Sequence, residues 1–184
     1  MIKNRIPAKN EKIKNIISIK ELDNMDSEEY FALLERRFTS DRYSVQRKLQ
    51  MAGQNLDFFA MRGRSGLVRY GKTAHFVLGK TIETASVNEI KSFSKSMTNY
   101  VLERWSKEHI TGILCVPLIV SNSASQDVKD WLSKATMEKS MLAFEFPALF
   151  LLDESQIYYS KKTPLWGMVY YRGHRHFVES MLSA

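Results

Sequence analysis

Residues 66–73, GLVRYGKT, satisfy the pattern G-x-x-x-x-G-K-[ST], in which backbone N–H groups and a lysine cradle the phosphates of a nucleotide. Gly66, Gly71, Lys72 and Thr73 would form that loop. Asp153, which closes the apolar run ALFLLDE at 148–154, would hold a magnesium ion at a strand end. A phosphate loop needs small residues between its glycines and a helix that begins at the Lys-Thr pair. Leu67, Val68, Arg69 and Tyr70 are instead large and strand-favouring, and TAHFVL after Lys72 also reads as strand. Gly71-Lys72 is therefore expected at a two-residue hairpin turn, and Asp153 in a turn between ALFLL and IYYS.

The remaining reactive side chains are few. The single cysteine, Cys115, lies inside ILCVPLIV, so it forms no internal disulfide and is expected to be a small buried hydrophobe. His174, His176 and Glu179 would lie near one another on a helix, but zinc catalysis needs three protein ligands, and His75 and His109 are far away in sequence. The cluster is expected to be a surface feature. No metal and no cofactor is assigned, and a non-enzymatic role is favoured over an enzymatic one.

The charge pattern is more informative than any catalytic motif. The net charge is +7, and residues 1–20 carry Lys3, Arg5, Lys9, Lys12, Lys14 and Lys20 against Glu11 alone. An acid-free stretch between Asp57 and Glu83 holds Arg62, Arg64, Arg69, Lys72 and Lys80. Another, between Glu154 and Glu179, holds Lys161, Lys162, Arg172 and Arg175, interleaved with Tyr158, Tyr159, Trp166, Tyr170, Tyr171 and Phe177. Clustered cations concentrate polyanions, and rings beside them offer stacking surfaces for unpaired bases. The same rings at strand spacing would also fill a core.

The elements that position these residues follow from periodicity. Asp26 is expected to cap a helix over about 27–38, followed by a second helix over about 41–52 that stops near Gly53. FFAMR, GLVRY and TAHFVL read as a tight antiparallel meander. Ser86-Val-Asn-Glu89 is a capping box, and Ile90, Phe93, Met97, Tyr100, Val101 and Trp105 share one helical face up to about His109. Next come the buried-type strand ILCVPLIV and a short helix with Val128, Trp131 and Leu132 inward. The strands ALFLL, QIYYS and LWGMVYY and a closing helix over about 176–182 complete the chain.

This order predicts an α/β (mixed α+β) fold, with one mixed sheet built from the meander plus further strands and a long amphipathic crossover helix packed on it. Residues 1–25 are read as a basic, flexible arm and residues 26–184 as one domain. The length of 184 residues, with 44% hydrophobic and 26% charged residues, suits a single core. No stretch reaches the roughly 20 apolar residues that a membrane helix needs, so no membrane insertion and a cytosolic location are expected.

A helix, a three-strand meander, a helix and a further strand is similar to the core order of restriction-endonuclease-like folds. That resemblance implies an acid on the second meander strand and an acid-x-Lys pair on the third, holding a divalent metal. The matched segments GLVRY and TAHFVLGK contain no carboxylate, and Glu89-Ile-Lys91 lies in the capped helix. The sequence thus favours a basic nucleic-acid-binding or accessory factor, within a homo-oligomer or larger complex. A module that binds an acidic protein is the alternative. A phosphate-loop enzyme, or a catalytically degenerate endonuclease-like domain, comes third.

Overall fold

The structure, a computed structural model, describes residues 25–65, 72–105, 110–135, 143–162 and 168–184. Helix α1 (Ser27–Ser40) opens on the expected cap: Asp26 Oδ1 accepts the Glu29 N–H at 2.8 Å, and the Glu29 carboxylate accepts the Asp26 N–H at 3.1 Å. Tyr30, Phe31, Leu34 and Phe38 form its buried face.

The next element corrects the sequence expectation, because residues 44–51 form strand β1 (Ser44–Met51) rather than a helix. Gln, Arg, Lys and Leu all tolerate a helix, yet burial here has period two. Val45, Arg47, Leu49 and Met51 turn inward while Ser44, Gln46, Lys48 and Gln50 are exposed. Ala52 and Gly53, with φ of 51° and 72°, make a two-residue hairpin of the type that needs two left-handed residues, and they lead into β2 (Gln54–Ser65).

Strand β3 (Lys72–Ala85) runs antiparallel to β2 in a register from Phe58↔Gly79 to Ser65↔Lys72. The meander is therefore β1, β2 and β3, one segment earlier than the sequence suggested, and GLVRY falls outside the described residues. Gly79 has a packing role, since a Cβ there would lie 2.7 Å from Phe31 Cε1 and 3.0 Å from Phe58 Cβ. Gly79→Ala is expected to cost about 1–3 kcal/mol through overpacking. Urea denaturation checks this, and an unchanged midpoint would mean that the Phe31 ring moves aside freely.

Helix α2 (Val87–Trp105) follows, with Ser86 Oγ accepting the Glu89 N–H at 3.2 Å and buried residues Ile90, Phe93, Ser94, Met97, Thr98 and Val101. It lies in the chain between β3 and β4 (Ile110–Ala124), which pair in parallel. Helix α3 (Gln126–Lys134), β5 (Ala143–Glu145), β6 (Ala148–Leu151), β7 (Gln156–Tyr159) and α4 (Met168–Leu182) complete the order. The sheet order is β1-β2-β3-β4-β6-β7, with β5 also beside β4; β5 and β6 run parallel to β4, and β7 antiparallel to β6.

Proline inside the central strand β4 has a structural reason. Cys115 O accepts the Phe146 N–H, so backbone groups of that parity, Pro117 included, point toward β5 and β6. Pro117 falls between the β4 residues paired with β5 and those paired with β6, where the ladder is already broken.

Alternate residues of the sheet feed two cores. Phe58, Val77, Leu114, Val116, Leu118 and Phe150 pack with α1 and α4. Phe76, Leu78, Ile113, Cys115, Ile119 and Leu149 pack with α2 and α3. The sheet is thus covered by helices on both faces of a single domain. Among the described residues, no helix is long and apolar enough to cross a membrane.

The aromatic run that read as the strand LWGMVYY is corrected too: residues 168–171 begin α4, and 163–167 lie outside the described residues. Tyr171, Val178 and Leu182 are buried at helical spacing.

Candidate nucleic-acid interface

Chain entry into the C-terminal region is fixed by α3. Ser160 Oγ donates to Ala135 O at 2.6 Å, and the Lys161 N–H donates to Ser133 O at 3.0 Å. These bonds satisfy carbonyls at the end of α3 and leave the side chains of Lys161 and Lys162 exposed. Arg175 of α4 donates through NH1 to Lys161 O at 3.0 Å, tying the helix to this segment.

The far end of α4 is clamped by α1. Tyr30 donates to Leu182 O at 2.6 Å, and Arg37 donates to Met181 O at 3.0 Å and also to Ser183 O. Glu179 accepts a hydrogen bond from Tyr159 of β7. Desolvation first, and then that carboxylate, push the Tyr159 phenol up to about 12, so it remains a neutral donor.

On the outer side, Arg172, Gly173, Arg175, His176 and Glu179 border a recess open to solvent. Of the four cations of the last acid-free stretch, Arg172 and Arg175 border this recess, Arg175 also reaches the backbone of Lys161, and Lys161 and Lys162 are exposed on the segment after β7. The carboxylate at the recess, Glu179, is held by Tyr159.

The meander cations are arranged differently. Arg62 is 2.8 Å from Asp41 Oδ2, and its guanidinium lies 4.2 Å from the centroid of Tyr43. Its side chain is only 18% exposed, so it braces the turn between α1 and β1. Arg64 and Lys72 are placed by backbone register at one end of the β2–β3 pair, opposite Thr73 and Ser65 respectively. Their side chains lie outside the described residues, as do Arg69 and the arm cations Lys3, Arg5, Lys9, Lys12 and Lys14. The meander end adjoins α4 through Phe177, whose ring is 5.1 Å from His75 and 6.4 Å from Tyr43.

The described aromatic rings of this region are engaged inside the protein. Tyr158 bonds to Glu154 and Gln156 with Lys129 5.3 Å from its centroid, Tyr159 and Tyr171 are buried, and Phe177 packs on Phe38. Trp166 and the Tyr170 side chain lie outside the described residues. Cations rather than described rings dominate the exposed surface here.

The two enzyme motifs meet specific obstacles. Lys72 and Thr73 are the first residues of a strand, so no helix N-terminus begins there to receive phosphate. Asp153 sits exposed in the β6–β7 turn, as expected, and Gly66 and Gly71 lie outside the described residues.

For the endonuclease-like resemblance, the shifted meander changes the comparison. Its second strand is β2, which does contain a carboxylate, Asp57; the sequence reading starts its first strand at Phe58 and takes GLVRY as the second, which leaves Asp57 out. Extending the Phe58↔Gly79 pair by one step sets Asp57 opposite Lys80. The acid of an acid-x-Lys pair ending at Lys80 would stand at position 78, where Leu78 is fully buried in the core. Asp57 Oδ2 accepts the Thr81 N–H at 2.7 Å, and Lys80 Nζ reaches Gln54 Oε1 at 3.5 Å. Among the described residues, no three His, Cys, Asp or Glu side chains are grouped to hold a metal ion.

Cys115 is fully buried, and desolvation pushes its thiol up to about 12, which keeps it protonated and unreactive. Comparison of the chain with protein-family models, curated proteins and solved structures found no match.

Proposed function

We propose that this protein is a non-enzymatic, cytosolic nucleic-acid-binding factor that holds the phosphate backbone with the outer face of α4 and the segment after β7. The observation that carries this is the pair Arg172 and Arg175 bordering one open recess on α4, with Arg175 bonded to the backbone of the segment that exposes Lys161 and Lys162. Phosphate contacts position a protein without reading sequence, and they need exposed cations rather than a deep pocket. The buried Leu78 at the position of a second catalytic acid favours binding without hydrolysis. An accessory role in a larger assembly is consistent with a chain that supplies affinity and no chemistry.

Lys161, Lys162 and Arg172 are exposed, so converting all three to alanine is expected to leave the melting temperature unchanged. Affinity for mixed-sequence DNA or RNA should fall at least tenfold. The slope of log affinity against log salt should become shallower by roughly 2–3, about 0.9 for each lost phosphate contact. Fluorescence anisotropy with labelled oligonucleotides measures both. Unchanged affinity for both nucleic acids would move the proposal to the alternative, an acidic protein partner that depends on a few desolvated anchors.

A further inference from the structure

Helix α4 carries two histidines that face opposite ways. His176 is exposed beside the recess, whereas His174 turns toward the sheet, with ring centroids 4.8 Å from Phe144, 6.3 Å from Phe146 and 6.3 Å from Tyr171. Its Nε2 is buried and has no hydrogen-bond partner. A neutral imidazole fits such an aromatic box. An imidazolium would bring a buried charge and two N–H donors into it.

Among the described residues, the ionisable groups around this box form no ion pair with His174. From β7 comes Tyr159, whose hydroxyl is taken by Glu179 of α4. From β5 comes Glu145, which accepts a bond from Ser94 of α2 on the other side of the sheet. The segment after β7 presents the exposed Lys161 and Lys162, and α4 itself supplies Tyr171 and Arg175, the latter bound to Lys161 O. Among the described residues, no carboxylate pairs with His174.

We propose that α4 is a pH-gated carrier of the basic surface: protonation of His174 drives its ring out of the aromatic box, loosens the first half of the helix from the sheet and displaces Arg172 and Arg175, which it carries. The release of bound polyanion rests on the function proposed above, whereas the loosening of the helix does not. Burial holds the His174 imidazole down to about 4, against an ordinary value near 6.5. Because the docked state prefers the neutral ring, docking is fully favoured above the ordinary value and weakens as pH falls from there toward 4. Linkage between those two values makes the opening equilibrium rise about 20-fold from pH 7 to pH 5. Plain electrostatics has the opposite sign, since added protons on a docked α4 would strengthen its hold on a polyanion.

Amide hydrogen exchange of α4 in the full chain, corrected for intrinsic rates, should show protection falling about 20-fold from pH 7 to pH 5. His174→Phe keeps an aromatic ring without a titratable nitrogen and should retain its protection. An equal loss in that variant overturns the proposal. Should the variant fail to fold, the wild-type His174 ring can be titrated by NMR: a value well below 6 supports the gate, and one near 6.5 sinks it. Anisotropy with a mixed-sequence single-stranded DNA and an RNA at both pH values completes the test. Weaker binding at pH 5 in the wild type, restored by His174→Phe, is the expected result, and stronger binding at pH 5 defeats gating of the surface. Altered exchange with no nucleic-acid binding at either pH would leave the gate standing and reject the binding function.

Discussion

Phe150→Ala should lower unfolding free energy by about 3–5 kcal/mol, the range for deleting a fully buried aromatic ring from a core that cannot collapse around the gap. Phe150 is completely buried on β6 and stacks on Tyr30 of α1, with centroids 3.9 Å apart and planes 9° from parallel. Tyr30 donates to Leu182 O, so this one ring links the sheet to α1 and, through α1, to the end of α4. The void would open among three elements, each fixed by other contacts, which limits relaxation. Domains of this size have roughly 5–15 kcal/mol of stability in total, so the variant should be marginal at 37 °C. Urea unfolding followed by circular dichroism gives the value. A loss below about 1 kcal/mol would contradict the placement of α1 over β6.

What the sequence revealed depended on whether local signals and tertiary burial agreed. Both capping boxes, at Asp26 and Ser86, are short-range hydrogen-bond patterns, and both helices begin where they indicate. The apolar run in β4 was equally legible because a strand covered on both faces must be apolar throughout. Residues 44–51 escape local reading because Gln, Arg, Lys and Leu tolerate a helix, and their period of two appears only in burial against the sheet. Residues 168–171 failed for the opposite reason: Tyr and Val favour strands, but the spacing of Tyr171, Val178 and Leu182 is helical. That spacing was available in the sequence and would have extended the last helix.

The proposed interface was legible as charge and illegible as geometry. Acid-free stretches are one-dimensional, and they do not distinguish Arg62, spent on Asp41 and Tyr43, from Arg172, exposed on α4. The ties from Arg175 to Lys161 and from Glu179 to Tyr159 join residues 14 and 20 positions apart. They depend on how α4 folds back on β7, which no local pattern encodes. Asp57 was hidden by the misplaced meander alone; once β2 is read as one strand from Gln54, its carboxylate is where a topological comparison would seek it.

Removal of residues 1–20 is expected to have the largest effect on binding. The segment holds six cations and one acid, most of the +7 net charge. If each cation neutralises one phosphate, the truncated chain's salt slope becomes shallower by about 5, at roughly 0.9 per contact. Between 50 and 200 mM salt, that difference makes the affinity loss of the full chain about a thousandfold greater than that of the truncated one. Folding should survive, because α1 is capped by Asp26 and Glu29, both beyond the removed segment. The comparison also separates the two basic regions. If α4 and the arm bind one continuous polyanion, removing the arm and the three exposed cations near α4 should lower the slope additively. An unchanged slope after truncation would assign the arm another task and leave the recess on α4 as the whole interface. A slope unchanged by either alteration, with measurable binding throughout, would shift attention to Arg64, Arg69 and Lys72 at the meander end.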